Sequence, residues 1–111
     1  MSYDVSLNGP KDCNCDCCRV RRADFDANYT ANCGAMFIKA GLPIRELDGM
    51  LAADALPRLN AAIAAMTADK PGYEKLNPAN GWGDYEGALQ FLRTIRNGCE
   101  AAPMGRLRVH A

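Results

Sequence analysis

Two kinds of residue in this chain have the chemistry to hold another molecule or ion, and both are clustered. The first are thiols. Cys13, Cys15, Cys17 and Cys18 crowd into six positions, while Cys33 and Cys99 stand alone further along. Zinc is held by sets of four thiolate or imidazole ligands, usually supplied as paired Cys-x-x-Cys knuckles. Cys15 and Cys18 make one such pair, so a closed site built from Cys15, Cys18, Cys33 and Cys99 requires the fold to bring the two lone cysteines to them. Zinc or another soft metal is therefore a candidate cofactor. Against it stands the commonest fate of a free cysteine, burial as a small core residue, which is the plainer expectation for Cys33 and Cys99.

The second kind are amides, hydroxyls and aromatic rings. Asn28-Tyr29-Thr30-Ala31-Asn32 precedes one expected helix, and Asn77-Pro78-Ala79-Asn80-Gly81-Trp82-Gly83-Asp84-Tyr85-Glu86-Gly87, which holds the only Trp, precedes another. Side-chain amides both donate and accept, glycine lets backbone approach a ligand, an aromatic ring offers a stacking face, and a helix start presents N–H groups to an anion. On this reading Asn28, Thr30, Asn32, Asn80, Gly81, Trp82 and Tyr85 line a site for a small polar or anionic ligand, and an adenine or ribose phosphate has the matching chemistry. The competing reading is structural. Asn32, Thr30 and Asp84 would be helix caps, Asn77 and Asn80 would form Asx turns, and Trp82 would plug the core. The residues alone leave both open.

Catalysis finds less support. His110 is the only histidine and lies one residue from the end of the sequence, a poor place for a general base. The carboxylate pairs Asp24 with Asp26 and Asp84 with Glu86 are explained by solvation and by the helix dipole. No phosphate-binding glycine loop and no H-E-x-x-H motif occurs. Arg19, Arg21 and Arg22 with Arg106 and Arg108 suit protection of a sheet edge better than phosphate binding.

The elements that must position these residues follow from periodicity. Tyr3 to Leu7 alternates as a half-buried strand, Asn8-Gly9-Pro10 turns it, and a return strand is expected within Cys15 to Arg22. Gly105 to His110 alternates again, with Leu107 and Val109 facing a core, and is expected to pair with the first strand. A helix capped by Thr30 or Asn32 should run to Ala40 and stop at Gly41, followed by a turn from Glu46 to Met50. A second helix is expected from Asp54 as cap, because Pro57 is tolerated in a first turn, with Leu56, Leu59, Ile63 and Met66 as its apolar stripe. Lys70-Pro71-Gly72 should break it. A last helix, capped by Asp84, carries Ala88, Leu89, Leu92, Ile95 and Cys99. The fold class is therefore α+β: a small antiparallel sheet, made of an N-terminal hairpin and a C-terminal strand, packed against three to four helices.

At 111 residues and 12.0 kDa the chain fits one domain, and a hydrophobic content of 49% argues against disorder. Thirteen basic and thirteen acidic residues cancel, which removes the bulk electrostatic drive toward nucleic acid. No apolar run approaches the roughly 20 residues of a membrane helix, and the opening residues lack the pattern of a signal peptide. The expected location is the cytoplasm, where thiols outlast disulfides.

The residues above resemble a group of small proteins encoded by bacteriophages and prophages. The likeness is carried by the Tyr3-Asp4-Val5 opening strand, the N-x-T-x-N element at Asn28 to Asn32, the NP-x-NGWG-x-YEG segment from Asn77 to Gly87 and the closing strand from Arg106 to Val109. Similar proteins carry an ordinary polar hairpin where this chain has Cys13 to Cys18. Taken with the two polar clusters, the resemblance leads to the expectation of a phage accessory or counter-defence protein that captures a small polar ligand without catalysis, a nucleotide-derived signal being one candidate. Two alternatives stand beside it: an interaction module docking on a host protein or on a second copy of itself, and a zinc-stabilised small domain.

Overall fold

A computed structural model describes residues 2–8, 25–30, 33–78 and 83–110. Strand β1, Ser2–Asn8, is the middle strand of a three-stranded antiparallel sheet of order β2-β1-β3. Its first partner is β2, Phe25–Thr30, in a register that sets Tyr29 opposite Tyr3 and Ala27 opposite Val5. The return strand expected at Cys15 to Arg22 lies outside the described residues, and β1 is already flanked on both sides. The reason is legible afterwards. Asn28-Tyr29-Thr30 looks like a polar loop, but Tyr and Thr are strand formers, and the alternation Ala27, Asn28, Tyr29 matches that of Val5, Asp4, Tyr3.

On the other side β1 pairs with β3, Arg106–His110, which sets Val109 opposite Val5 and Leu107 opposite Leu7, as the alternation of that segment predicts. Leu107 is fully buried while Arg106, Arg108 and His110 are exposed. The outer edge of β3 is protected by backbone as well as by charge. Leu107 donates its N–H to the Met50 carbonyl at 2.9 Å, Gly49 donates to the Leu107 carbonyl at 2.8 Å, and Val109 donates to Asp48 Oδ1 at 3.1 Å. Such cover satisfies the groups that would otherwise template aggregation.

Helix α1, Gly34–Lys39, follows Cys33, which occupies the cap position without a side-chain capping bond to the helix; Thr30, one expected cap, instead ends β2. The helix stops as predicted at Gly41, whose φ of +83° and paired bonds, Leu42 N–H to Phe37 and Gly41 N–H to Ile38, form a Schellman motif. A 3-10 turn spans Ile44–Leu47.

Helix α2, Ala52–Ala68, begins earlier than predicted, with Leu51 rather than Asp54 at its cap. No side chain caps it. Its first N–H groups go to the turn before β3, Ala52 to the Gly105 carbonyl at 2.8 Å and Ala53 to that of Pro103 at 2.9 Å. This long-range cap has no local signature, and it leaves Pro57 inside the helix rather than in its first turn. A short helix α3, Lys70–Glu74, occupies the expected break; the chain turns one residue earlier, at Asp69, and Pro71 sits in a first turn that tolerates it.

Helix α4, Tyr85–Ala101, matches its prediction. Asp84 Oδ1 accepts the Gly87 N–H at 2.7 Å, and Ala88, Leu89, Leu92, Ile95 and Cys99 are buried together with Phe91. It packs against α2 and against β2. Helices thus cover the sheet face that carries Tyr3, Val5, Ala27, Tyr29 and Leu107, while Asp4, Asn28, Arg108 and His110 lie exposed. The fold is α+β. Among the described residues no helix is long and apolar enough to cross a membrane.

Candidate functional site

The strand β2 and the start of α4, remote in sequence, are tied together by one phenol. The Tyr29 hydroxyl accepts the Asp84 N–H at 2.9 Å and lies 3.2 Å from the Asp84 carbonyl, to which it can donate. The Cys33 thiol approaches the same carbonyl at 3.8 Å. The backbone leading into α1 and the backbone leading into α4 therefore converge on Asp84. Gly87 completes the junction, since a Cβ there would overlap the Tyr29 hydroxyl. Its small size is a requirement of close approach rather than of backbone angle.

Beside this junction the Tyr29 ring stacks on Phe91, with centroids 5.7 Å apart and planes at 26°. Phe91 in turn meets Phe37 at 5.8 Å, so the stack is anchored in the core. Along it runs a groove of about 350 Å³ between β2 and α4. Ala27, Tyr29 and Phe91 form its apolar side, Gly87, Gln90 and Thr94 present one row of α4 to it, and Asn28 belongs to its lining although its side chain turns to Asp4 on the other face of the sheet. The spacing of that row, three and four residues, is the signature of a single helix face. Asn28 donates its side-chain amide to the Asp4 carboxylate across the sheet, which fixes its orientation. Thr94 Oγ1 donates to the Gln90 carbonyl at 2.9 Å.

Burial pushes the Tyr29 phenol above its usual range, against the opposing effect of its backbone bond to Asp84. Burial also raises the Cys33 thiol, against the effect of Tyr29. Both groups are therefore neutral at physiological pH, and a protonated thiol is a weak nucleophile and a weak metal ligand. The junction holds shape and hydrogen bonds, not a poised acid and base.

Of the residues predicted for the ligand site, Asn28 falls within the groove lining but gives its side-chain amide to Asp4 on the opposite sheet face, and Thr30 closes the strand that forms the wall. Asn32, Asn80, Gly81 and Trp82 lie outside the described residues. Tyr85 is a correction. Its ring is buried against α2, with the hydroxyl donating to the Met66 carbonyl at 2.8 Å, so it fastens α4 to α2 instead of offering a stacking face. Asn77 takes a structural role as well, accepting the Tyr85 N–H at 2.9 Å. Gln90, Phe91 and Thr94 were missed because they belong to a helix whose apolar stripe drew attention to its other positions.

The metal set is also corrected. Cys15 and Cys18 lie outside the described residues, but Cys33 touches the Asp84 carbonyl while Cys99 follows fifteen residues later along α4. At 1.5 Å per residue that is about 22 Å, and one zinc ion with bonds near 2.3 Å cannot use both. Burial raises the Cys99 thiol to about 11, as suits a core residue. Among the described residues no three potential metal ligands come together.

Compared with known protein families, curated proteins and solved structures, the chain matches none. Its geometry must carry the functional reading. Among the described residues the exposed large hydrophobic side chains are Ile38 and Met104.

Proposed function

We propose that this protein is a non-catalytic binding module that holds a small polar ligand in the groove between β2 and α4. The observation that carries the reading is the Tyr29–Asp84 junction, which joins the two polar segments of the sequence and fixes the groove beside them. Its volume lies at the lower end of the range for small-molecule sites, and its lining combines an aromatic side with a few polar groups, as such sites do. Among the described residues the groove lining holds no carboxylate, amine or imidazole, which suits capture rather than turnover. The likeness to phage-encoded proteins gives capture a purpose, removal of a nucleotide-derived host molecule by an accessory or counter-defence protein.

The test is a nitrogen-15 NMR spectrum of the full chain before and after addition of a desalted small-molecule extract of bacterial cells. Shifts confined to the side-chain amide of Gln90 and to backbone amides near Asn28, Gly87 and Thr94 are expected. Shifts only elsewhere, or none, would remove the groove as the site.

A further inference from the structure

Resting on that binding reading, we propose that the groove takes an uncharged planar heterocycle, a nucleobase or nucleoside, and not an anion. Charge argues first. Among the described residues no Asp, Glu, Lys, Arg or His lines the groove. A bound phosphate is ordinarily met by Lys or Arg, or by open N–H groups at a helix start. Here the Gly87 N–H at the start of α4 is already taken by the Asp84 carboxylate, whose own negative charge opposes an incoming anion.

Shape argues second. Tyr29 and Phe91 form a stacked pair along the groove, and a flat ring laid on Tyr29 would extend that stack by one member. Gly87, Gln90 and Thr94 line about 10 Å of helix, room for a heterocycle with its sugar but not for a chain of nucleotides. Hydrogen bonding argues third. The exposed Gln90 carboxamide in the lining carries both a donor and an acceptor, the combination that pairs with the edge of a base.

Titration of the nitrogen-15 labelled full chain with adenosine, guanosine, cytidine, uridine and inorganic phosphate, each added separately, tests this. At least one nucleoside is expected to shift the Gln90 side-chain amide and the backbone amides of Gly87 and Thr94 saturably. Gln90→Leu should weaken that binding at least tenfold, and Thr94→Trp, a bulky change at an exposed position, should abolish it. Phosphate should leave those signals unmoved, and adding a 5′-phosphate to the nucleoside that binds should not tighten it. Phosphate binding in the groove, or binding that needs the 5′-phosphate, overturns the neutral-heterocycle proposal while leaving the binding module intact. Silence toward all five probes, with a response to cell extract, overturns it in favour of another ligand class. Silence toward extract as well removes both readings.

Discussion

At the scale of single residues, Tyr29 matters more than its half-buried position suggests, because its hydroxyl serves both polar groups of the Asp84 backbone. Tyr29→Phe keeps the ring stack but leaves the Asp84 N–H without its partner, and should lower the unfolding free energy by about 1–2 kcal/mol in urea titration. Gly87→Ala is a sharper test because two effects oppose. In an exposed helix the change gains up to about 1 kcal/mol of propensity. Here the new methyl displaces the Tyr29 hydroxyl, so the urea midpoint should fall instead of rising. A rise would mean that Tyr29 does not hold the junction. Cys99 supplies a pH dependence. Burial raises its thiol to about 11, so the folded state keeps a proton that the unfolded chain releases from about pH 9. Stability from this group is complete below that value and is lost as pH climbs toward 11, by roughly 2–3 kcal/mol. Tyr29 and Tyr73, both raised chiefly by burial, add to the decline from about pH 10 upward. Denaturant titrations between pH 8 and 11 should show a steeper fall for the wild type than for Cys99→Ala.

At the scale of elements, what the sequence made legible was local. The apolar stripe of α4, its Asp84 cap and the stop at Gly41 each depend on residues a few positions apart, and each stands where periodicity and capping chemistry put it. What escaped was long-range. The partner of β1 is chosen by the matching alternation of residues 25–30, not by nearness along the chain, and the start of α2 is set by carbonyls of Pro103 and Gly105. The candidate site shows the same division. Asn28 could be picked out by type, whereas Gln90 and Thr94 become relevant only when β2 is laid beside α4. Pro57 gives this scale its own prediction. It sits on an exposed part of α2 without an N–H for the Ala53 carbonyl. Pro57→Ala restores that bond and should stabilise the protein by about 1–2 kcal/mol, the interior proline penalty being partly offset by the greater freedom of the unfolded chain. A lower urea midpoint would show that the ring contributes packing that its exposure does not reveal.

At the scale of the whole molecule, the architecture separates two jobs. The sheet face under the helices and the α2–α4 contact bury the core, from Val5 and Phe37 to Leu59, Met66 and Ile95. The margin where β2 meets α4 is left with a groove, an aromatic stack and neutral polar groups. Cys33 and Cys99 belong to the first job, buried at opposite ends of α4, which is why a four-cysteine zinc centre drawing on both is excluded by the length of one helix. The groove is the feature that stability alone does not require. Its role is tested most directly by native mass spectrometry of the protein purified gently from a bacterial host, with wild type and Thr94→Trp compared side by side. A small organic mass retained by the wild type and missing from the variant is the predicted result. A bare chain in both spectra, or the same added mass in both, would contradict capture in the groove.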